Sequence, residues 1–218
     1  MAHFYLVDTL ESTTVGSTVV LEGPEGRHAS TVSRVRVGET LNVGNGRGLM
    51  MMAEVTATSK DSVELRVLSL EQRELSTPRI TLVQALAKTD RDERAIEAAT
   101  ELGIDAVIPW AADRCISRWE GSKVEKGISR WSAIVREATK QSIRAFVPTV
   151  GPHVTTAQLL QELSGTQILV LDPSGTIPLS KVTVDKTDIA LVVGPEGGIT
   201  ESELNRFREA GAAIVTLG

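Results

Sequence analysis

Hydrophobic and polar positions follow two different patterns along the chain. Within residues 1–75, the short runs Val19–Leu21, Thr40–Val43, Met50–Val55 and Val63–Val67 are separated by turn sequences such as Glu22-Gly23-Pro24. Short runs bounded by turn residues at this spacing are typical of antiparallel strands. We therefore predict a small β-barrel over residues 1–75, with a short helix between residues 26 and 37.

From residue 80 onwards, continuous apolar runs alternate with segments in which apolar residues recur at helical spacing. Continuous runs of this kind indicate strands that are buried on both faces, as in a parallel sheet. The predicted strands are Ile80–Leu86, Ala106–Pro109, Gln167–Leu171, Ile189–Val193 and Ala213–Leu217.

The segments between these strands predict helices over residues 123–142 and 156–163. Two further helices are predicted to begin at capping boxes, in which a Thr or Asp precedes a glutamate by three positions. The two pairs are Asp90 with Glu93 and Thr200 with Glu203. Strands alternating with helices predict a second domain of the α/β class over residues 78–218, with a parallel sheet.

The pentapeptide Gly194–Gly198, with the sequence Gly-Pro-Glu-Gly-Gly, joins the strand that ends at Val193 to the helix that follows Thr200. Ligands of open α/β sheets bind at the carboxyl ends of the strands, and glycines leave the backbone accessible to them. The spacing matches neither the P-loop nor the G-x-G-x-x-G dinucleotide fingerprint. On spacing alone, a small-molecule site and a plain tight turn are equally compatible with this pentapeptide.

The composition is that of an ordinary globular protein, with 41% hydrophobic and 23% charged residues. The single cysteine, Cys115, excludes an internal disulfide and fits a reducing cytoplasm, and we expect it to be a buried apolar side chain. The histidines are not at metal-ligand spacing, so we predict no metal site. No segment is long and apolar enough to span a membrane, and the first residues do not resemble a signal peptide.

The formal net charge of −5 conceals a basic segment. Residues 112–144 contain eight basic and four acidic residues, which gives this segment a charge of +4 and leaves −9 for the rest. A local basic surface can contact a phosphate backbone even on an acidic protein, and a solvated helix face is the alternative interpretation. Trp110, Trp119 and Trp131 are candidates for stacking on nucleobases, although Trp131 falls on an apolar helical stripe that favours the core or a dimer interface.

Five short motifs occur in order along the whole chain. They are His28-x-x-x-Val32-x-Arg34, Glu101-Leu102-Gly103-Ile104, Asp113-Arg114-Cys115, Gln141-Ser142-x-Arg144 and Gly194–Gly198. Taken together, they resemble the RsmE family within the SPOUT superfamily of knotted methyltransferases. Lys140 departs from the fourth motif, because the family has a glutamate at that position.

The resemblance implies an N-terminal β-barrel similar to PUA domains, which dock RNA, and a C-terminal SPOUT α/β domain whose chain forms a trefoil knot. RsmE proteins methylate ring nitrogen 3 of a uridine in 16S ribosomal RNA, with S-adenosylmethionine as the methyl donor and no metal. The resemblance therefore implies a homodimeric, cytoplasmic methyltransferase whose partner is the 16S RNA of the small ribosomal subunit.

By resemblance, three loops at strand ends are expected to hold the donor. Their backbone amides and carbonyls would contact adenine and ribose, with Leu171, Ile199 and Leu217 as apolar walls. Plain core packing is the alternative for Leu171 and Leu217. The implied donor-binding residues are Leu171, Asp172, Pro173, Gly194, Pro195, Glu196, Gly197, Gly198, Ile199, Leu217 and Gly218.

The resemblance also implies two groups of polar residues that contact RNA. The candidate catalytic residues, at the flipped base, are Arg114, Gln141 and Arg144. The candidate RNA-binding residues are His28, Arg34, Lys88 and Arg91. The alternative for the catalytic group is ordinary solvent exposure, and for His28 a local structural role is equally compatible.

The family pattern continues beyond Leu217-Gly218 into a stretch with the pattern Leu-Arg-x-Glu-Thr-Ala and a final helix, so we expect this C-terminal segment to be missing from the chain. The alternative functions are a non-catalytic RNA-binding module and a SPOUT methyltransferase for another RNA, such as transfer RNA. An unrelated nucleotide-binding hydrolase is disfavoured, because the sequence has no P-loop and no recognisable Ser-His-Asp arrangement.

Overall fold

The computed structural model describes residues 4–184 and 187–217, and the chain divides into two compact units. The first unit contains the chain up to Leu75 together with Thr139–Val147. The second unit contains Ser76–Ala138 and the chain from Pro148 onwards. Residues 139–147, which the sequence pattern assigns to the second domain, therefore belong to the first unit.

A five-stranded sheet organises the first unit. Its strands are β1 (Phe4–Leu6), β2 (Thr18–Leu21), β3 (Thr40–Gly44), β4 (Leu49–Thr58) and β5 (Val63–Gln72). The spatial order is β1-β3-β4-β5-β2, with β1 parallel to β3 and the other neighbours antiparallel. The alternating pattern predicts all of these strands except β1, which has only three residues, all buried, and so shows no alternation.

Between β2 and β3, helix α1 (Gly23–Arg27) continues into a π-helical turn at His28–Val32. The turn predicted at Glu22-Gly23-Pro24 is wrong, because the helix already begins there. Proline is tolerated in the first helical turn, where its missing N–H has no intrahelical partner to lose. The apolar core of this unit includes the fully buried Leu21 and Leu65.

A parallel sheet with helices in its crossover connections forms the second unit, as predicted. Its elements are β6 (Ile80–Ala85), α2 (Arg91–Leu102), β7 (Ala106–Ala111), α3 (Ser122–Gln141), β8 (Thr149–Val150), β9 (Val154–Thr155), α4 (Thr156–Glu162), β10 (Gln167–Leu171), β11 (Ile177–Pro178), β12 (Ile189–Val193), α5 (Glu201–Glu209) and β13 (Ala213–Thr216). A 3₁₀ turn at Leu179–Lys181 follows β11. The strand order is β11-β13-β10-β12-β6-β7-β8, with β9 also paired to β7.

Strands β6 and β12 are neighbours at a point where the strand connections change direction. Strand β6 leads through α2 to β7 on one side, and β12 leads through α5 to β13 on the other. Such a switch point opens a crevice outside the carboxyl ends of the two strands. The pentapeptide Gly194–Gly198 directly follows β12 and therefore lies at this switch point.

Helix α2 begins after Asp90, as expected, but the capping box predicted there is wrong. The Asp90 side chain makes no capping hydrogen bond and pairs instead with Arg94, one turn further along the helix. Glu93, the other half of the predicted box, pairs with Arg130 of α3. Both carboxylates have a basic partner within reach, and these partners replace the backbone N–H groups that a capping box would use.

The carboxylate of Glu203 is the central polar group of the second unit, and Glu203 is only 1% exposed. Its Oε2 accepts hydrogen bonds from the N–H of Thr200 at 3.0 Å and from the Thr200 hydroxyl at 2.8 Å, which closes the predicted capping box. Its Oε1 accepts from the N–H of Asp113 at 2.9 Å and from the Thr156 hydroxyl at 3.0 Å. Glu203 therefore joins the first turns of α5 and α4 to the loop that follows β7.

Trp110 extends this network into the apolar core. Its indole N–H donates to the Thr156 hydroxyl at 3.2 Å, and its ring meets Phe207 of α5 edge to face at 5.6 Å. Trp110 is fully buried, and Trp131 is buried in the core as its helical stripe predicts. Neither ring is therefore available for stacking on a nucleobase.

We expect Glu203→Gln to lower the free energy of unfolding by about 2 kcal/mol, because the amide NH₂ of glutamine would face two buried donors that the carboxylate now satisfies. Urea unfolding measures this change. Glu209→Gln is the matched control, since Glu209 is exposed on the same helix and is expected to change little. Equal stability of the two variants would contradict a central role for Glu203.

Candidate active site

A cavity of about 360 Å³ lies at the carboxyl ends of the neighbouring strands β10 and β13. It is lined by Leu171, Asp172, Pro173, Thr216 and Leu217. This volume falls in the range of small-molecule sites, which is roughly 300–1,000 Å³. Leu217 is 79% exposed, so its side chain is not core packing and offers an apolar surface to a ligand.

The loop after β10 is held in place by its own aspartate. One carboxylate oxygen of Asp172 accepts from the N–H and the hydroxyl of Ser174, at 2.9 and 2.6 Å, and the N–H of Asp172 donates to the Val215 carbonyl at 3.0 Å. These bonds tie the loop to β13. The cavity wall formed by Leu171, Asp172 and Pro173 is therefore fixed before any ligand binds.

The pentapeptide loop after β12 is a tight turn in which the N–H of Gly198 donates to the Pro195 carbonyl at 2.8 Å. Gly198 has a φ of +73°, which favours glycine at this position. Ile199 is buried beneath the loop, where its side chain lies against Gly194. Gly194–Ile199 are not among the residues that line the 360 Å³ cavity, and the predicted role of Ile199 as an apolar wall of the donor site stays a prediction.

Glu196 bridges the two loops at the switch point. Its Oε1 accepts from the N–H of Lys88 at 3.1 Å and from the Arg91 guanidinium at 3.4 Å. Hydrogen bonds from its own backbone N–H and that of Lys88 lower the pKa of Glu196, so this carboxylate stays ionised. Lys88 and Arg91, both exposed, are thereby brought to the pentapeptide loop.

Arg114 contacts the same loop from the other side, in the segment that follows β7. Its guanidinium donates to the carbonyl of Gly197 at 3.0 Å, and its side chain is exposed. The preceding residue, Asp113, places a carboxylate oxygen 3.2 Å from the Thr200 hydroxyl. Two consecutive residues of the segment after β7, Asp113 and Arg114, therefore contact the loop after β12.

Four of the predicted polar residues lie in the first unit: His28, Arg34, Gln141 and Arg144. His28 is exposed and meets the ring of Tyr5 edge to face at 5.9 Å, so it also has a local packing role. Gln141 is the last residue of α3 and is exposed, and Arg144 is half-buried just after the helix. Gly218 lies outside the described residues.

Lys140, the departure from the fourth motif, is buried in the first unit. Its ammonium group lies 2.9 Å from a carboxylate oxygen of Glu25, whose side chain is also largely buried. A buried lysine requires such a partner, because an unpaired charge in this environment is costly. The lysine therefore places its charge in an ion pair between the end of α3 and α1.

Backbone strain occurs at one candidate residue and next to two others. Among the described residues, the non-glycine residues with positive φ are Arg34 (+54°), Thr89 (+62°) and Ile143 (+53°). Arg34 is itself a candidate, Thr89 lies next to Lys88, and Ile143 lies next to Arg144. A left-handed conformation costs about 1–2 kcal/mol for a residue with a side chain, and such strain tends to cluster at functional sites.

A second cavity, of about 280 Å³, lies at the carboxyl ends of β6 and β7. Cys115 and His153 are among its lining residues. Cys115 is buried, as expected, and burial raises the pKa of its thiol, which favours the neutral form. Burial lowers the pKa of His153, so its imidazole is neutral at physiological pH.

No group of three or more His, Cys, Asp or Glu side chains within residues 4–184 and 187–217 could hold a metal ion. In the same part of the chain, no helix is long and apolar enough to cross a membrane.

Comparison with known families connects this geometry to an enzyme class. Residues 73–218 match the family model of the RNA methyltransferase domain, and residues 21–68 match that of the RNA methyltransferase PUA domain. The chain belongs to the RNA methyltransferase family. The family assignment agrees with the RsmE resemblance, and the α/β class with a PUA-like N-terminal domain is confirmed. The trefoil knot stays a prediction.

Individual members of the family cover this chain completely. Ribosomal RNA small subunit methyltransferase E of Mycobacterium bovis is 41% identical over 224 residues, which span 100% of this chain and 85% of that protein. The Bacillus subtilis protein of the same name is 30% identical and covered to 89%. The crystal structure of the Neisseria gonorrhoeae protein of that name, bound to S-adenosylmethionine, superposes with a TM-score of 0.88 at 32% identity, over 100% of this chain and 90% of that one.

Sequence reasoning missed two residues of this candidate site. Thr216 lines the cavity, and its strand position beside Leu217 was the available signal. Thr89 has a strained backbone and lies between the candidate residues Lys88 and Arg91. The φ angle of a single residue depends on tertiary contacts, so the sequence pattern does not predict it.

We expect the stability of the protein to depend on His153 as the pH falls. The folded state holds the pKa of His153 below its ordinary value of 6.5, so below that pH the unfolded chain takes up a proton more readily and folding is penalised. Urea unfolding of the wild type and His153→Gln at pH 8, 7, 6 and 5 measures this. The wild type should lose stability relative to the variant only below about pH 6.5. A constant difference across this range would contradict the neutral, buried histidine.

Proposed function

We propose that this protein transfers a methyl group from S-adenosylmethionine to ring nitrogen 3 of a uridine in the 16S RNA of the small ribosomal subunit. The observation that carries the proposal is the 360 Å³ cavity at the carboxyl ends of β10 and β13, in a fold that superposes on a family member bound to S-adenosylmethionine. The relatives named ribosomal RNA small subunit methyltransferase E support the ribosomal substrate. The RsmE resemblance supports a uridine as the target nucleotide and nitrogen 3 as the methylated atom. On the same resemblance, we propose that the protein is a homodimer in the cytoplasm.

The residues around the cavity fit this donor. Leu171 and Leu217 offer apolar walls of the kind that an adenine ring or a methylene chain packs against, and the strand-end backbone offers hydrogen-bonding groups. Gly194–Gly198 are proposed to contact the donor from the adjacent strand end, through backbone groups that no side chain covers. When bound, the donor supplies a methyl group activated by a positively charged sulfur.

Arg114 is proposed to position the uracil. Uracil must lose the proton on nitrogen 3, and the resulting negative charge spreads onto the two flanking oxygens, so a cation held beside them stabilises the reacting form. The recorded hydrogen bond of Arg114 uses one guanidinium nitrogen on the Gly197 carbonyl, and guanidinium carries five N–H donors. The remaining donors are available to a substrate, and the Gly197 carbonyl fixes where they lie.

Other exposed polar residues are proposed to bind the RNA backbone. Lys88 and Arg91 lie at the pentapeptide loop through Glu196, and Arg34 and His28 are exposed on the first unit. Gln141 and Arg144 are proposed to hold the flipped base and its phosphates. The fourth motif and the backbone strain at the neighbouring Ile143 support this role. Phosphate contacts of this kind make binding strongly dependent on salt.

Methyl transfer to small ribosomal subunits that lack the modification tests the proposed function. A methyl group on nitrogen 3 blocks base pairing, so primer extension should stop beside one uridine after incubation with the protein and the donor. Donor binding with no stop would move the substrate to another RNA, such as a transfer RNA. Neither donor binding nor a stop would favour a non-catalytic RNA-binding module.

We expect Gly197→Val to weaken S-adenosylmethionine binding by at least about tenfold. A Cβ at this position already lies 3.3 Å from the Cβ of Arg114, so the branched valine would force the pentapeptide loop and Arg114 apart. Isothermal titration calorimetry measures the affinity, and thermal unfolding checks the fold. Gly197→Ala is the matched control with a smaller expected loss, since one methyl group needs a shift of only a few tenths of an ångström. Unchanged donor affinity in the valine variant would remove the loop from the site.

A further inference from the structure

Trp119 is the tryptophan that the fold leaves accessible. Trp110 and Trp131 are buried in the core, whereas Trp119 is half-buried, in the segment between β7 and α3. Its ring meets Trp131 edge to face at 5.3 Å and lies 5.5 Å from the ring of His153. The accessible part of the Trp119 ring is therefore supported by the rings of Trp131 and His153.

Gly127 of α3 shows how closely Trp119 is held. A Cβ on Gly127 would lie only 2.5 Å from carbons of the indole ring, so the ring rests directly on the helix backbone. Any side chain at this position would displace it. The orientation of Trp119 is therefore set by the helix before any ligand arrives, which lowers the ordering cost of binding.

The 280 Å³ cavity opens beside this ring. Its lining includes Leu86, Cys115, Ser117, Arg118, Trp119 and His153. The Nε2 atom of His153 is buried, and among the described residues it has no hydrogen-bond partner. The cavity thus combines an aromatic ring with apolar lining residues such as Leu86. Its volume falls just below the range of about 300–1,000 Å³ for drug-sized ligands, so a smaller planar group suits it.

Trp119 and Arg118 together indicate the class of molecule that carries this planar group. Arg118 is exposed and makes no ion pair within the described residues, and the cavity lining also includes the acidic residues Asp113 and Glu120. An aromatic ring beside a free arginine is the arrangement that binds a nucleotide of a single strand, with the base on the ring and the phosphate on the cation.

We propose that this cavity binds one unstacked nucleobase of the RNA substrate against Trp119. The proposal rests on the proposed function, because it takes its ligand from the same RNA. The base is either the one that is methylated or a neighbour in the strand. The 280 Å³ cavity lies at the end of β7, and the proposed donor cavity lies at the end of β10. These two strand ends are three strands apart along the sheet edge, or roughly 14 Å at normal strand spacing.

Steady-state methylation of small ribosomal subunits by Trp119→Leu and Trp119→Phe tests the proposal. Phenylalanine keeps an aromatic face, and leucine does not. We expect the leucine variant to raise the KM for subunits roughly 5- to 150-fold, which is the range for one stacked base. The phenylalanine variant should have a KM close to that of the wild type. The affinity for S-adenosylmethionine, measured by calorimetry, should stay unchanged in both. A higher KM alone places a neighbouring base in the cavity, whereas a lower kcat as well places the methylated base there.

Equal KM values for the wild type and the leucine variant would overturn the proposal, as would a phenylalanine variant no better than leucine. Ile116→Ala is the matched control, because Ile116 is exposed on the same segment and is not among the residues that line the cavity. If the leucine variant does not fold, Arg118→Gln decides, with a higher KM and a shallower salt dependence expected. Wild-type protein that binds the donor but methylates no subunits would instead refute the proposed function.

Discussion

The buried carboxylate of Glu203 holds the functional end of the parallel sheet together. It accepts four hydrogen bonds, two from Thr200 and one each from Asp113 and Thr156, so all of its charge is compensated by polar groups. Its position in the first turn of α5 adds a favourable interaction with the positive end of the helix. A buried carboxylate is stable only when it is satisfied in this way. The three segments that supply the donors are consequently fixed relative to one another.

The geometry of the proposed active site follows from this constraint. Asp113 is held through its N–H by Glu203, and the next residue, Arg114, donates to the carbonyl of Gly197. Glu196 in turn accepts from Lys88 and Arg91, which extends the connection to the loop after β6. Loops from three strands are therefore cross-linked by hydrogen bonds that need no ligand. A reaction that depends on positioning benefits from such an arrangement, because the cost of ordering the loops is met during folding.

Local patterns in the sequence were sufficient to predict most of the second unit. The runs at Gln167–Leu171 and Ile189–Val193 match β10 and β12 residue for residue, because a strand buried on both faces must be apolar throughout. The capping box at Thr200 is also local, since its two partners are three residues apart. The box at Asp90 failed because Glu93 finds Arg130, a partner far away in the chain, and no local pattern reports such a contact.

Ile143 illustrates why the remaining features could not be predicted. It occupies the left-handed position after α3, where the N–H of Arg144 reaches back to the Thr139 carbonyl at 3.1 Å, and glycine would adopt this conformation without strain. Its side chain is 37% exposed, so burial offsets little of the cost. The N–H of Ile143 donates to the Lys140 carbonyl at 3.3 Å, and Lys140 is itself anchored by its buried ion pair with Glu25. The strain at Ile143 therefore fixes the backbone from which Arg144 extends, and it arises from contacts between distant parts of the chain.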